Sequence, residues 1–136
     1  MIIARIAATL TIALLAGSTS AQESIELPFV HSANDDPAII KLWEDFGDNY
    51  IKSEDPNLNV FTATVETPEG DKLTISQLNS VRICSDADCP VRILRNEELV
   101  YDNDGCRYTE QFSLNASMRT LFMCDWAVPT ISAPEE

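Results

Sequence analysis

All four cysteines of this 136-residue chain lie between Val81 and Trp126, and how they pair restricts the fold more than any other feature. Cys84 and Cys89 bracket Ser85-Asp86-Ala87-Asp88, turn-favouring residues between the strand-like runs VRIC and CPVRIL. Folded as a hairpin, those runs set the two cysteines opposite each other, with Cβ atoms about 4.5–5.5 Å apart and close to disulfide distance. Setting Cys106 opposite Cys124 puts Tyr108 opposite Phe122, Glu110 opposite Thr120 and Phe112 opposite Met118, around a turn at Leu114-Asn115-Ala116. One face of that second hairpin is then apolar and the other polar, and a slip of one residue would reverse the segregation. Asp104-Gly105 is a two-residue turn signal that would place Asp102 opposite Arg107, and Asn96-Glu97 is a weaker one that would bring Leu94 beside Leu99. The expected bridges are therefore Cys84–Cys89 and Cys106–Cys124, one of the three connectivities open to four cysteines.

The chain begins with features of a secretory signal at residues 1–21. Arg5 precedes the apolar run Ile6–Ala16, and Thr19-Ser20-Ala21 supplies small residues for cleavage. The apolar run is too short to span a bilayer, so no membrane anchorage is expected after cleavage. Residues 22–136 then form one exported domain, periplasmic or secreted, where cysteines pair as disulfides more readily than they ligate metal. Cleavage removes Arg5 and no acid, which moves the net charge from −13 to −14. Nucleic acid and anionic membrane surfaces are poor partners at that charge, and a basic protein or a cation is a plausible one. Solubility alone is an equally good reason for the acidity.

Gln22–Asn34 reads as an extended, partly mobile lead-in. Asp35-Asp36-Pro37 then opens a helix with an acidic cap and a proline in its first turn, and the apolar stripe Ile39, Leu42, Trp43, Phe46, Tyr50 continues it, unless Gly47 ends it early. Ser53–Asn57 reads as a linker. Asn59–Glu66 alternates and is β-branched, as a strand should, and Pro68–Asp71 turns it into Lys72–Ser76. The tail 127–136, with two prolines, reads as peripheral. The resulting fold class is α+β: an antiparallel, meander-like sheet of six or seven strands with the Asp36–Tyr50 helix packed on one face.

Chemistry is sparse. His31 is the only histidine and stands apart from any cysteine or serine signature. The cysteines match neither a C-x-x-C redox motif nor a zinc-ribbon spacing, and four glycines make no phosphate cradle. Asp86, Asp88, Asp102 and Asp104 lack calcium-loop spacing and read as solvated turn residues. No catalytic residue, metal or cofactor is expected. Two charges remain to be explained, because the register above turns Arg92 and Glu110 toward the apolar face, where a charge needs a partner. They are read as a pair, as residues at the core edge, or as a polar site.

The C-x4-C loop Cys84-Ser85-Asp86-Ala87-Asp88-Cys89, in an exported chain with a helix followed by strands, resembles the Ivy-type lysozyme inhibitors of the bacterial periplasm. That family carries a rigid CKPHDC loop that plugs the lysozyme cleft; Cys84, Asp88 and Cys89 match it, and Ala87 stands where the family has its histidine. The resemblance implies an antiparallel sheet with helical cover and a lysozyme as partner. Three functional readings follow. The first is a binding or inhibitor module presenting Ser85, Asp86, Ala87 and Asp88, with Arg92 and Glu110 as further candidate binding residues. The second is a small carboxylate-dependent enzyme built on Glu110 with Arg92, and the third a structural component of the envelope.

Overall fold

The structure, a computed structural model, describes residues 24–47, 51 and 55–132. The expected signal at 1–21, the final turn of the expected helix at 48–50 and the end of the tail at 133–136 lie outside the described residues.

Among the described residues nine strands form two antiparallel sheets, whereas the sequence predicts one. The larger has the order β2-β3-β4-β5-β6, with β2 at Val30–Ser32, β3 at Asn59–Glu66, β4 at Lys72–Asn79, β5 at Asp88–Arg95 and β6 at Glu98–Cys106. The smaller has the order β1-β7-β8-β9, with β1 at Ile25–Glu26, β7 at Phe112–Leu114, β8 at Thr120–Met123 and β9 at Trp126–Pro129. The alternation of β4 and β5 explains the layering. Leu73, Ile75, Val91 and Ile93 point to one face and pack on Phe112, Leu114, Leu121 and Met123 of the small sheet. Val60 and Leu78 point to the other face and pack under Ile39 and Trp43. Each of these fully buried aliphatic side chains contributes about 1.5–3 kcal/mol.

The helix α1 is Pro37–Leu42, much shorter than expected. Its start is as read: the Asp36 carboxylate accepts from the Ala38 amide at 2.9 Å, with proline in the first turn. It stops because Trp43, with φ −118° and ψ 15°, leaves the helical region and turns its ring into the core, where it is 0% exposed.

β3, the Pro68–Asp71 turn and the start of β4 fall where the sequence puts them, and Asn96 (φ 50°) and Glu97 (φ 67°) make the left-handed turn that sets Leu94 opposite Leu99. Other local readings are overturned by tertiary packing. Asp104-Gly105 is no turn, since β6 runs straight through it with Asp102 opposite Arg92. Gly105 is needed for another reason: a Cβ there would sit 2.6 Å from Val91 Cγ2 and 2.7 Å from Met123 Sδ, where the two sheets meet.

Phe112 pairs with Met123, not Met118, because Asn115 organises a longer loop, its side-chain oxygen accepting from the Arg119 and Thr120 amides at 3.1 Å each. Both expected disulfides are present. Cys106–Cys124 does not close a hairpin, however; it ties the end of β6 to the β8–β9 turn and so joins the sheets. Both terminal segments supply strands. The lead-in supplies β1 to one sheet and β2 to the other, with Phe29 edge-on to Phe112 at 5.5 Å. The tail supplies β9, and Thr130 is fully buried, donating to the Met118 carbonyl.

Candidate functional site

The loop between β4 and β5, with the first residue of β5, carries four of the six predicted binding residues, Ser85 to Asp88. Val81–Cys84 is not a strand. The Ser80 carbonyl accepts from the Ile83 amide at 3.2 Å and the Cys84 amide at 2.9 Å, which curls the segment into a turn. The Ser80 hydroxyl donates to the buried Asp55 carboxylate at 2.7 Å and fixes the base of the loop. From there the Cys84–Cys89 bridge closes a six-residue ring.

The ring is braced internally. The Ser85 amide donates to the Asp88 carbonyl at 2.8 Å, and the Asp88 amide donates back to the Ser85 hydroxyl at 3.1 Å. It is braced externally by the Arg107 amide, which donates to the Ala87 carbonyl at 2.8 Å. Ser85, Asp86 and Ala87 remain exposed, and among the described residues the Asp86 carboxylate has no hydrogen-bond or ion-pair partner. Asp88 is half-buried at the start of β5. Its charge is felt nearby: burial pushes the Tyr101 hydroxyl above its ordinary value, and the carboxylates of Asp104 and Asp88 push it further. The result is a small, rigid, acidic protrusion at one end of the large sheet.

Arg92 belongs to a different place and has a different duty. It lies four residues along β5, about 13 Å from Asp88 at strand rise, and is 5% exposed. Its guanidinium stacks over the Trp43 ring at 4.7 Å, and the indole N–H donates to Ser76 Oγ at 3.0 Å. Nε donates to Asp102 at 3.0 Å, while Nη1 donates to Asp45 at 2.6 Å and to the Leu42 carbonyl at 2.8 Å. That last bond satisfies a carbonyl the end of α1 would otherwise leave orphaned, so a strand residue caps the helix. Burial works against the charge of Arg92, but its hydrogen bonds to Asp45 and Asp102 outweigh this and hold the group above its ordinary value. In turn the Arg92 hydrogen bond, opposed by a smaller effect of burial, holds the Asp45 carboxyl below its ordinary value.

The chain matches no protein-family model, no curated protein and no solved structure.

The six predicted binding residues therefore separate into three groups. Ser85, Asp86, Ala87 and Asp88 form the loop and Arg92 the helix clamp. Glu110 lies exposed in the 3-10 turn Thr109–Gln111, in no ion pair among the described residues. Asp102, expected as a solvated turn residue, instead holds Arg92. Sequence reasoning missed a cleft of about 610 Å³ beside α1, which Arg92 borders and Glu110 does not. Its floor is the cross-strand row Thr64, Thr74, Leu94, Leu99. The available signal was the run of threonines at the outward positions of β3 and β4, which α1 is too short to cover.

Proposed function

We propose that this protein is an exported, non-enzymatic binding module whose contact element is the Ser85–Asp88 loop. The observation that carries the reading is the combination at one loop of a closed ring, three bracing hydrogen bonds and an exposed, unpartnered carboxylate. A loop ordered before binding loses little entropy when it docks, so bracing beyond what the fold requires favours recognition. Its carboxylates, within a domain of net charge −14, steer it toward a cationic cleft. Lysozymes offer such a cleft, and the resemblance of the loop to the Ivy-type element makes inhibition of a lysozyme the first specific form of the proposal. The enzyme reading ranks lower, since Arg92 has its donors committed to Asp45, Asp102 and Leu42, and Glu110 does not line the cleft that Arg92 borders.

The test is titration of the purified protein against a panel of basic lysozymes by calorimetry and cell-wall lysis. Micromolar binding that weakens at least about tenfold in the Asp86→Asn/Asp88→Asn variant, with melting unchanged, supports the loop; each tenfold is about 1.4 kcal/mol. Binding that the double variant retains in full overturns the loop as the contact element. Absence of binding to any lysozyme removes the inhibitor form.

A further inference from the structure

The cleft beside α1 lies at the far end of the large sheet from the disulfide loop, roughly 20 Å away along the strands. Its two halves differ. On the β3–β4 side the floor carries the hydroxyls of Thr64 and Thr74, and Lys72 lies one pleat further along β4. On the β5–β6 side it carries Leu94 and Leu99, the latter 46% exposed, with Leu42 of α1 alongside. Lys41 stands on the helical wall.

The charge balance is unlike that of the rest of the molecule. The lining holds three of the seven described basic residues but only three of the seventeen described acidic ones. Among the described residues Lys41 and Lys72 have no carboxylate within ion-pair distance, a condition they share with Arg82 and Arg107 outside the cleft, while Arg95 and Arg119 are paired. Asp45, one of the three acids, is already occupied by Arg92. A cleft of this size, with an apolar half, a hydroxyl half and free ammonium groups at the edge, has the composition of a small-molecule site.

We infer that this cleft binds a small amphipathic monocarboxylate, its apolar body over Leu94 and Leu99 and its acid group toward Lys72 and the Thr64 and Thr74 hydroxyls. Glu44 and Glu97, which also line the cleft, disfavour a ligand with more negative charge. The site is independent of the loop and survives if the loop proposal fails.

The probes are octanoate, octanol and octylammonium, titrated into isotope-labelled protein and followed by NMR. Octanoate should give saturable shifts at Thr64, Thr74, Leu94 and Leu99, with a dissociation constant below about 1 mM and about tenfold tighter than octanol. Lys72→Gln should reduce octanoate to the octanol level and leave octanol unchanged. Leu99→Ser should weaken both alike. Both positions are exposed, so melting serves as the fold control. Octylammonium binding as tightly as octanoate, shifts centred elsewhere, an unaffected Lys72→Gln variant or no saturation would each overturn the assignment.

Discussion

Replacing Arg92 by alanine tests whether a single strand residue holds α1 in place. The substitution removes the charged hydrogen bond to the Leu42 carbonyl, for which about 1.5–3 kcal/mol is typical. It removes the stacking over Trp43, about 0.5–2 kcal/mol. The pairs with Asp45 and Asp102 add little, about 0–1 kcal/mol each, because those side chains are 72% and 47% exposed. Their exposure also means that no buried carboxylate is stranded, which keeps the loss below that of a broken interior pair. The ranges sum to about 2–7 kcal/mol, and with the two carboxylates solvated the expected loss lies toward the lower end, about 3 kcal/mol, or a fall of about 10–15 °C in melting temperature for a domain of this size. Urea unfolding followed by far-ultraviolet circular dichroism measures it, and emission of the newly unstacked Trp43 reports the local change. Arg92→Lys should recover less than half, since an ammonium can neither fork between two carboxylates nor stack as a plane. Asp45→Asn should cost less than about 1 kcal/mol. A loss below about 0.5 kcal/mol for Arg92→Ala, or an Asp45→Asn loss as large as that of the arginine, would refute the reasoning.

The two disulfides should differ in worth. By chain entropy the 18-residue separation of Cys106–Cys124 contributes about 3 kcal/mol and the 5-residue separation of Cys84–Cys89 about 2 kcal/mol, so the Cys106→Ala/Cys124→Ala protein should melt lower than its counterpart. A pH dependence should also appear at α1. The folded-state pKa of Asp45 is depressed, so its contribution is present above the ordinary value of 3.8 and is lost as the pH falls through the lower, folded one. Trp43 emission should therefore shift below about pH 4, and Asp45→Asn should remove that component.

How much was legible in the sequence depended on whether the cause was local. The Asp36 cap, the β-branched alternation of Asn59–Glu66 and the Asn96-Glu97 turn act within a few residues, and they appear where expected. Gly105 carried a local turn signal but is glycine because Val91 and Met123 crowd it from two sheets, which no window of neighbours reveals. The cysteine pairing is legible, although the cysteines do not sit opposite each other within hairpins: Val81–Cys84 curls on Ser80, and Cys124 sits in a turn at φ 52°. Arg92 was rightly marked as a buried charge needing a partner. Its partners were not legible, because Asp45 is 47 residues away and Asp102 becomes its neighbour only once β6 runs through Asp104-Gly105. The cleft was hidden for a similar reason, since it exists only because α1 stops at Leu42.

The lead-in that feeds one strand to each sheet has a consequence for the order of assembly. β2 finds its partner β3 about thirty residues along, across the segment that carries α1, while β3 to β6 follow one another through short connections. β1 must wait for β7, with Ile25 opposite Leu114, so the first strand of the chain docks among the last. Closing a loop of that length carries an entropic cost that the apolar face of the large sheet helps to offset. The five-stranded sheet is therefore expected to form before the small sheet, which draws strands from both ends of the chain, and pulse-labelled hydrogen exchange protecting β3–β6 before β1 and β7 would check it. Cys84 and Cys89 can meet as soon as β4 and β5 pair, while Cys106 and Cys124 meet only when the two layers close. The second bridge thus records completion of the fold, and a protein trapped without it should keep the meander and lose the seam.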